Sequence, residues 1–265
     1  MKAGKEQKSQ SIFYGIYTDD TVDLKGKTIS ILGDSISTFS GISNNATDTN
    51  NTIGGNAVYY PKYEIDNSSE TWWAQTAEAT GMEMLVNNSW SGSRVLSGNG
   101  AAYNTRCEQL HDNTGENNGT HPDVIAVYIG INDFNAGSTI GTFENLSEVY
   151  TEEEGYIRRP VTVAQAYAIM VHKMTVMYEN SDIFLFTLPA NGTNKNTELL
   201  AKYNNVINEI AEYFDCYVVD LANIEGYNYA TYTSDGLHPN ELGMDLITDL
   251  FVRTLKGVYA PVKAK

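Results

Sequence analysis

Cysteine is almost missing from this chain. Cys107 and Cys216 are the only two in 265 residues, too few for a disulfide framework. Cys216 opens the strand-like run Cys216-Tyr217-Val218-Val219 and reads as a small apolar core residue. Positive charge is scarce too: 17 Lys and Arg face 33 Asp and Glu, a net charge of −16. Such a field repels phosphate backbones and anionic lipid surfaces. Nucleic acid is therefore excluded as an expected partner, and uncharged substrates are favoured. No apolar run approaches the roughly 18 residues of a membrane span, and no membrane insertion is expected. Met1 to Gln10 is polar and lysine-rich and lacks the apolar stretch of a signal peptide. Either the protein is made without a leader, or a leader or upstream domain precedes this chain. No internal repeat is visible at periods of about 20–50 residues.

What is present fits one α/β domain. Such domains often run to about 250 residues, and a core of that size needs neither disulfide nor metal to hold it. A short N-terminal extension or linker is placed at 1–24 and the domain at 25–265. Apolar runs at Thr28 to Leu32, Met84 to Asn87, Val124 to Ile129, Ile183 to Leu188 and Tyr217 to Asp220 are short. Each carries β-branched or aromatic residues, as strands covered on both faces do. Between the later runs the period lengthens. Tyr167, Met170, Val171, Met174, Met177 and Tyr178 share one helical face, as do Tyr203, Val206, Ile207, Ile210 and Phe214. Leu246, Ile247, Leu250 and Phe251 continue the pattern in a terminal helix. Strands alternating with helices predict a parallel sheet, helices on both faces and ligands beyond the carboxyl ends of the strands. Three polar stretches, Ser43 to Asn56, Ser97 to Pro122 and Asn135 to Arg159, read as long loops. Loops of that length wall a site or lack fixed structure.

By the sheet rule, a site is built from the residues just after each strand. After the first comes Gly33-Asp34-Ser35-Ile36-Ser37. A serine there presents its hydroxyl and its own N–H at the open edge of the sheet, where a helix start favours a developing oxyanion. The plainer reading is a turn capped by Asp or Ser. After the second strand comes Asn88-Ser89-Trp90-Ser91-Gly92-Ser93-Arg94; Gly92 offers a bare N–H, or is an ordinary loop glycine. After the third comes Gly130-Ile131-Asn132-Asp133, whose Asn132 amide is either a neutral oxyanion donor or a turn residue. After the fifth comes Asp235-Gly236-Leu237-His238-Pro239-Asn240. There His238 is suited to take the Ser35 proton while Asp235 fixes its tautomer; the alternative is a turn before a capped helix. Each segment alone is weak. Four in order along one sheet edge are strong.

This arrangement resembles the SGNH, or GDSL, hydrolase family, whose four blocks carry Ser, Gly, Asn and His, matched here by Ser35, Gly92, Asn132 and His238. The family's acid lies three residues before the histidine, where this chain has Asp235. The resemblance runs from Lys27 to about Leu255 and implies a three-layer, flavodoxin-like α/β/α sandwich on a five-stranded parallel sheet. It further implies ester hydrolysis without a cofactor. The Gly-x-Ser-x-Gly elbow of α/β-hydrolases is absent. The longer segments around Ser35 and Gly92 resemble a bacterial and phage subgroup with many carbohydrate esterases and domains of surface or tail proteins. A secreted or surface-associated setting is expected on that basis. One departure is Ile36, where many relatives have Leu.

The expected chemistry is attack by Ser35 with His238 as base and Asp235 as its orienting acid, the oxyanion being held by Ser35, Gly92 and Asn132. Asp34 and Asp133 read as acceptors of backbone hydrogen bonds, with Asp34 also a substrate-contact candidate alongside Trp90 and Arg94. Arg94 reads either as a substrate contact or as partner to an acid. Trp72-Trp73, Tyr59-Tyr60 and Trp90 offer flat faces for sugars, or core. An O-acetylated glycan is the favoured substrate. A short-chain lipid ester or thioester is the alternative, and a non-catalytic glycan-binding domain is the reading from another class. Cys107, His111 and His121 share a polar region with Asp112, but their spacing matches no zinc pattern and no metal is expected.

Overall fold

The alternation of short β-branched runs with longer helix-period segments builds one parallel sheet. The computed structural model describes residues 22–43, 58–98, 100–112, 119–151 and 155–260. Nearly all of the loop expected at 43–56, and of the extension at 1–24, lies outside them. The strands are β1 (Thr28–Gly33), β2 (Glu83–Ser89), β3 (Val124–Tyr128), β4 (Tyr150–Thr151), β5 (Gly155–Tyr156), β6 (Asp182–Phe186) and β7 (Tyr217–Val219). The main sheet runs β2-β1-β3-β6-β7, with every pairing parallel. Strands β4 and β5 form a separate two-stranded ribbon inside the stretch read as a loop at 135–159.

The helices are α1 (Trp72–Thr80), α2 (Ile131–Asn135), α3 (Val163–Met177), α4 (Thr197–Tyr213), α5 (Tyr229–Tyr232) and α6 (Glu241–Tyr259). α1 packs on α6 and α3 on α4, and with the sheet they make the three-layer α/β/α sandwich that the sequence predicts. Capping fixes the helix starts. Thr162 and Gln165 form a capping box at α3, and the Asn196 side chain accepts from Leu199 N–H at 2.9 Å before α4. Met177 departs from its expected place. Its spacing puts it on the core face of α3, yet it stands 37% exposed, because it is the last residue of the helix. Both cysteines are buried and free.

Strand order determines where a site can form. β1 lies between β2 and β3, with Gly33 in register with Ser89 on one side and Tyr128 on the other. The order reverses at this point, and the crevice there opens beyond the carboxyl ends. The chain leaving β1 turns at once into a 3-10 turn, Ser35–Ser37. A Cβ on Gly33 would stand 2.8 Å from Ser37 Cβ and from Ser89 Oγ, so only glycine lets the turn fold back so tightly. Trp72 and Trp73 are both buried. Their indole N–H groups donate to Ser37 Oγ at 3.2 Å and Ser37 O at 3.0 Å. They fasten the turn rather than offer faces to a sugar.

Two buried titratable side chains lie beneath this turn. Arg106, 1% exposed, donates from Nη2 to Gly33 O at 2.8 Å and to Asn88 O, and from Nη1 to Gly100 O at 3.0 Å. Burial pushes the guanidinium down to about 9, while attraction to Asp34 opposes the shift. Asp34, also 1% exposed, accepts from Ile36 N–H at 3.1 Å. Burial raises its carboxyl to about 7 against the pull of that N–H and of Arg106. Asp34 thus turns inward, away from the place a substrate contact would need.

The shift at Asp34 links stability to pH. Its folded value is about 7 against an ordinary 3.8, so between those values the folded chain keeps a proton that the unfolded chain releases. The stability it contributes is present at acid pH and is lost as pH rises through about 7. Asp34→Asn retains an acceptor for Ile36 and cannot ionise. Denaturant unfolding is expected to show the variant gaining on the wild type by on the order of 4 kcal/mol between pH 4 and pH 8. A difference independent of pH would contradict a protonated Asp34.

Candidate active site

The turn after β1 carries Ser35, and the turn before α6 carries Asp235 and His238. Gly236, at φ +87, lets the chain reverse between acid and imidazole, and the Asn240 side chain caps α6 immediately afterwards by accepting from Gly243 N–H at 3.0 Å. Although 203 residues separate them, His238 Nε2 and Ser35 Oγ lie 2.9 Å apart. On its other side, His238 Nδ1 lies 2.9 Å from Asp235 Oδ2. The structure therefore brings Ser35, His238 and Asp235 into one hydrogen-bonded line. Asp235 Oδ1 accepts from the N–H groups of Leu237 and His238 at 3.1 and 2.9 Å.

The electrostatics suit proton transfer from a hydroxyl. Partial burial alone would raise Asp235, but the His238 N–H, the Tyr59 hydroxyl and the imidazole hold its carboxyl far below the ordinary range. It stays an anion, and a neutral His238 donates to it from Nδ1, leaving Nε2 free to accept. Burial lowers the His238 value below the usual 6.5; Asp235 opposes this and Lys62 adds to it.

β2 and β3 flank β1, so the segments carrying Gly92 and Asn132 leave the sheet on either side of the Ser35 turn. Gly92 has φ +76 and open space where a Cβ would point, a conformation that glycine adopts without strain. Ser35 is the first residue of its 3-10 turn, so its N–H has no partner within the turn. The Asn132 amide donates one hydrogen to Ser93 O at 3.0 Å. That bond orients the group, and the second hydrogen remains for another acceptor. Two backbone N–H groups and one amide are donor types suited to a carbonyl oxygen that gains charge.

The other expected residues are placed differently. Asp133 is buried and accepts from Val95 N–H at 2.7 Å and Leu96 N–H at 3.2 Å, which fastens the Gly92 loop to α2. Burial raises it to about 6, opposed by those N–H groups and by the charge of Arg94. Arg94 is half-buried and acts on Asp133 through that field. Trp90 is also half-buried; its ring lies 5.0 Å from the Arg106 guanidinium. Tyr60 is buried and donates to Pro239 O at 2.6 Å. His111 and His121 sit with their rings 5.7 Å apart. Among the described residues no three His, Cys, Asp or Glu side chains group to hold a metal, and no helix is long and apolar enough to cross a membrane.

Two residues at the site carry no sequence signal of their role. Tyr59, read as a possible sugar platform, instead stacks on the His238 imidazole, with ring centroids 3.5 Å apart and planes 11° from parallel. Its hydroxyl donates to Asp235 Oδ2 at 2.7 Å. Arg106 lies in a stretch read as polar loop.

Solved structures share this fold, and a family model matches the sequence. No curated protein sequence matches the chain. Among solved structures, similar folds include proteins described as GDSL-like lipases from Bacteroides ovatus and Bacteroides uniformis. The first is 22% identical at a TM-score of 0.63, covering 87% of this chain and 98% of that one. The second is 24% identical at 0.61, covering 89% and 96%. An acetyl-xylooligosaccharide esterase from Geobacillus stearmophilus is 16% identical at 0.54, covering 93% and 100%. A model of the GDSL-like lipase/acylhydrolase family matches residues 27–255. Spanning most of its length, that match shows that the chain belongs to the GDSL-like lipase/acylhydrolase family.

Proposed function

We propose that this hydrolase is a serine esterase that removes O-acetyl groups from a carbohydrate. The observation that carries the reading is the Ser35 Oγ–His238–Asp235 chain, with 2.9 Å at each link. Ser35 Oγ attacks the ester carbonyl as its proton passes to His238 Nε2. The N–H groups of Ser35 and Gly92 and the Asn132 amide hold the oxyanion. Collapse of the intermediate breaks the bond to the alcohol, which leaves with the proton from His238. Water then attacks the acyl-enzyme, with His238 again as base, and releases the acid and Ser35. A pure binding domain has no use for a hydroxyl, an imidazole and a carboxylate in line, which argues against the non-catalytic reading.

The acetyl preference has narrower support. An apolar crevice of about 420 Å³, counting its open mouth, passes Ile36, Ile131, Leu221, Ile224 and Leu237, but neither Ser35 nor His238 lines it. A short acyl group on Ser35 has no need of it, whereas a longer chain gains by reaching it; a short-chain lipid ester is therefore the second reading. A sugar substrate accords with the charge of −16, which disfavours anionic surfaces. It also accords with the acetyl-xylan-type activities named for two structures of similar fold.

Hydrolysis of activated esters of increasing acyl length tests both readings. Ser35→Ala is expected to lose on the order of 10⁶ in turnover, as loss of a triad nucleophile does, and equal rates would remove the esterase assignment. A steep preference for acetate favours the glycan ester; rising rates with chain length favour the lipid ester.

Asn132→Ala should lower kcat by about 10²–10³, the usual cost of one oxyanion donor, and stopped-flow acylation rates measure it. An unchanged acylation rate would remove Asn132 from the cradle. Activity needs neutral His238, whose value burial holds below 6.5. The rate should accordingly fall only as pH drops through a midpoint below 6.5, and a pH profile of kcat/KM reads it directly. A midpoint above that value would contradict the burial argument.

A further inference from the structure

Residues 58–65 bridge the two turns that bear the reacting groups. On the Ser35 side, Tyr59 N–H donates to Thr38 Oγ1 at 2.8 Å, and Ser40 N–H donates to Tyr60 O at 2.9 Å. On the His238 side, Tyr60 OH donates to Pro239 O at 2.6 Å, Ser234 Oγ donates to Glu64 Oε2 at 3.2 Å, and Tyr59 OH donates to Asp235 Oδ2 at 2.7 Å. The middle of this bridge lies flat on the imidazole, at 3.5 Å and 11°.

We propose that Tyr59 is a positioning residue of the hydrolytic site: its ring fixes the plane of the His238 imidazole, and its hydroxyl shares Asp235 Oδ2 with the imidazole Nδ1–H. This role rests on the esterase reading. Its physical content is twofold. An imidazole swings about its side-chain torsions, and Nε2 reaches Ser35 Oγ over only part of that arc; a stacked ring on one face removes the rest of it. Separately, a carboxylate oxygen that accepts from a phenol as well as an imidazole carries less charge toward each donor. Asp235 then stabilises an imidazolium less than it would with the imidazole alone, which keeps His238 an available base at lower pH.

The charged and titratable groups facing His238 come from three elements. Its own turn supplies Asp235, residues 58–65 supply Tyr59 and Lys62, with Tyr63 beside Tyr59 and Glu64 beside Tyr60, and the turn after β1 supplies Ser35. Lys62 Nζ lies 4.6 Å from the centre of the Tyr59 ring, so the stack carries a cation close to it. Removing the phenol oxygen alone leaves all of these in place.

The two roles separate in two substitutions, assayed on an activated acetate ester and by NMR titration of His238, which reads the imidazole without turnover. Tyr59→Phe keeps the stack and loses the hydroxyl. Its acid limb and its His238 titration should both move up by about half a pH unit. Tyr59→Ala loses both, and kcat should fall roughly tenfold with KM within about twofold, the pattern of lost orientation. The proposal is overturned if Tyr59→Phe leaves the limb and the titration in place, or if Tyr59→Ala turns over like wild type. Should Tyr59→Ala fail to fold, the near-isosteric Phe variant decides alone. Ser35→Ala in the same assay separates the two claims. If it hydrolyses as fast as wild type, the esterase reading fails, while the His238 titration still reports whether Tyr59 governs the imidazole.

Discussion

The guanidinium of Arg106 sits between the carboxyl ends of β1 and β2 and donates to a carbonyl on each, Gly33 and Asn88, as well as to Gly100. Strand ends in a parallel sheet point their last carbonyls toward the crevice where a ligand binds. Left unpaired and buried, each such carbonyl costs about 1–3 kcal/mol. The cation donates to both strand ends and to the loop carbonyl of Gly100, and together with Trp90 N–H, which donates to Gly33 O at 3.2 Å, it ties the Ser35 turn to the Gly92 loop. Asn88 returns a bond from its amide to Arg106 O at 3.1 Å, so the contact is reciprocal. The proposed oxyanion cradle would depend on that spacing, since its donors come from both strand ends and from α2.

A second constraint is reach. β7 lies three interstrand spacings from β1, about 14 Å across the sheet. The chain from Asp220 onward must cross the ends of β6 and β3 before His238 meets Ser35. Residues 58–65 complete the crossing by holding the His238 turn from its far side. The crossing is thus a three-part contact among segments distant in the chain, and Tyr59 and Tyr60 supply much of it.

The two aspartates nearest the serine illustrate how surroundings set charge. Asp34 is sealed in with one backbone N–H and a cation whose own hydrogen bonds go to carbonyls, and burial lifts its carboxyl to about 7. Asp235 is only partly covered and accepts from two backbone N–H groups, a phenol and an imidazole. It remains ionised. Identical side chains therefore serve opposite ends: one is a buried turn cap, the other a fixed negative pole for the imidazole.

The parallel sheet, its helices and the four segments at its carboxyl edge were legible in the sequence, because periodicity and turn residues are local properties. Ser35, Gly92 and Asn132 each come soon after a strand, so a rule about strand ends finds them; His238 lies well beyond β7, past α5, and is found by its turn before the α6 cap together with Asp235 three residues away. Tyr59 meets Asp235 across 176 residues and Arg106 meets Gly33 across 73. Nothing beside either residue in the chain announces those partners. Likewise Trp72 and Trp73 read either as aromatic faces for a sugar or as core, and only packing showed that both are buried with their indoles on Ser37. The sequence by itself determined which groups stand at the edge of the sheet. The tertiary structure alone decided which of them touch and which are sealed from water, because distance and burial arise from the crossing of chain segments and not from the order of residues along them.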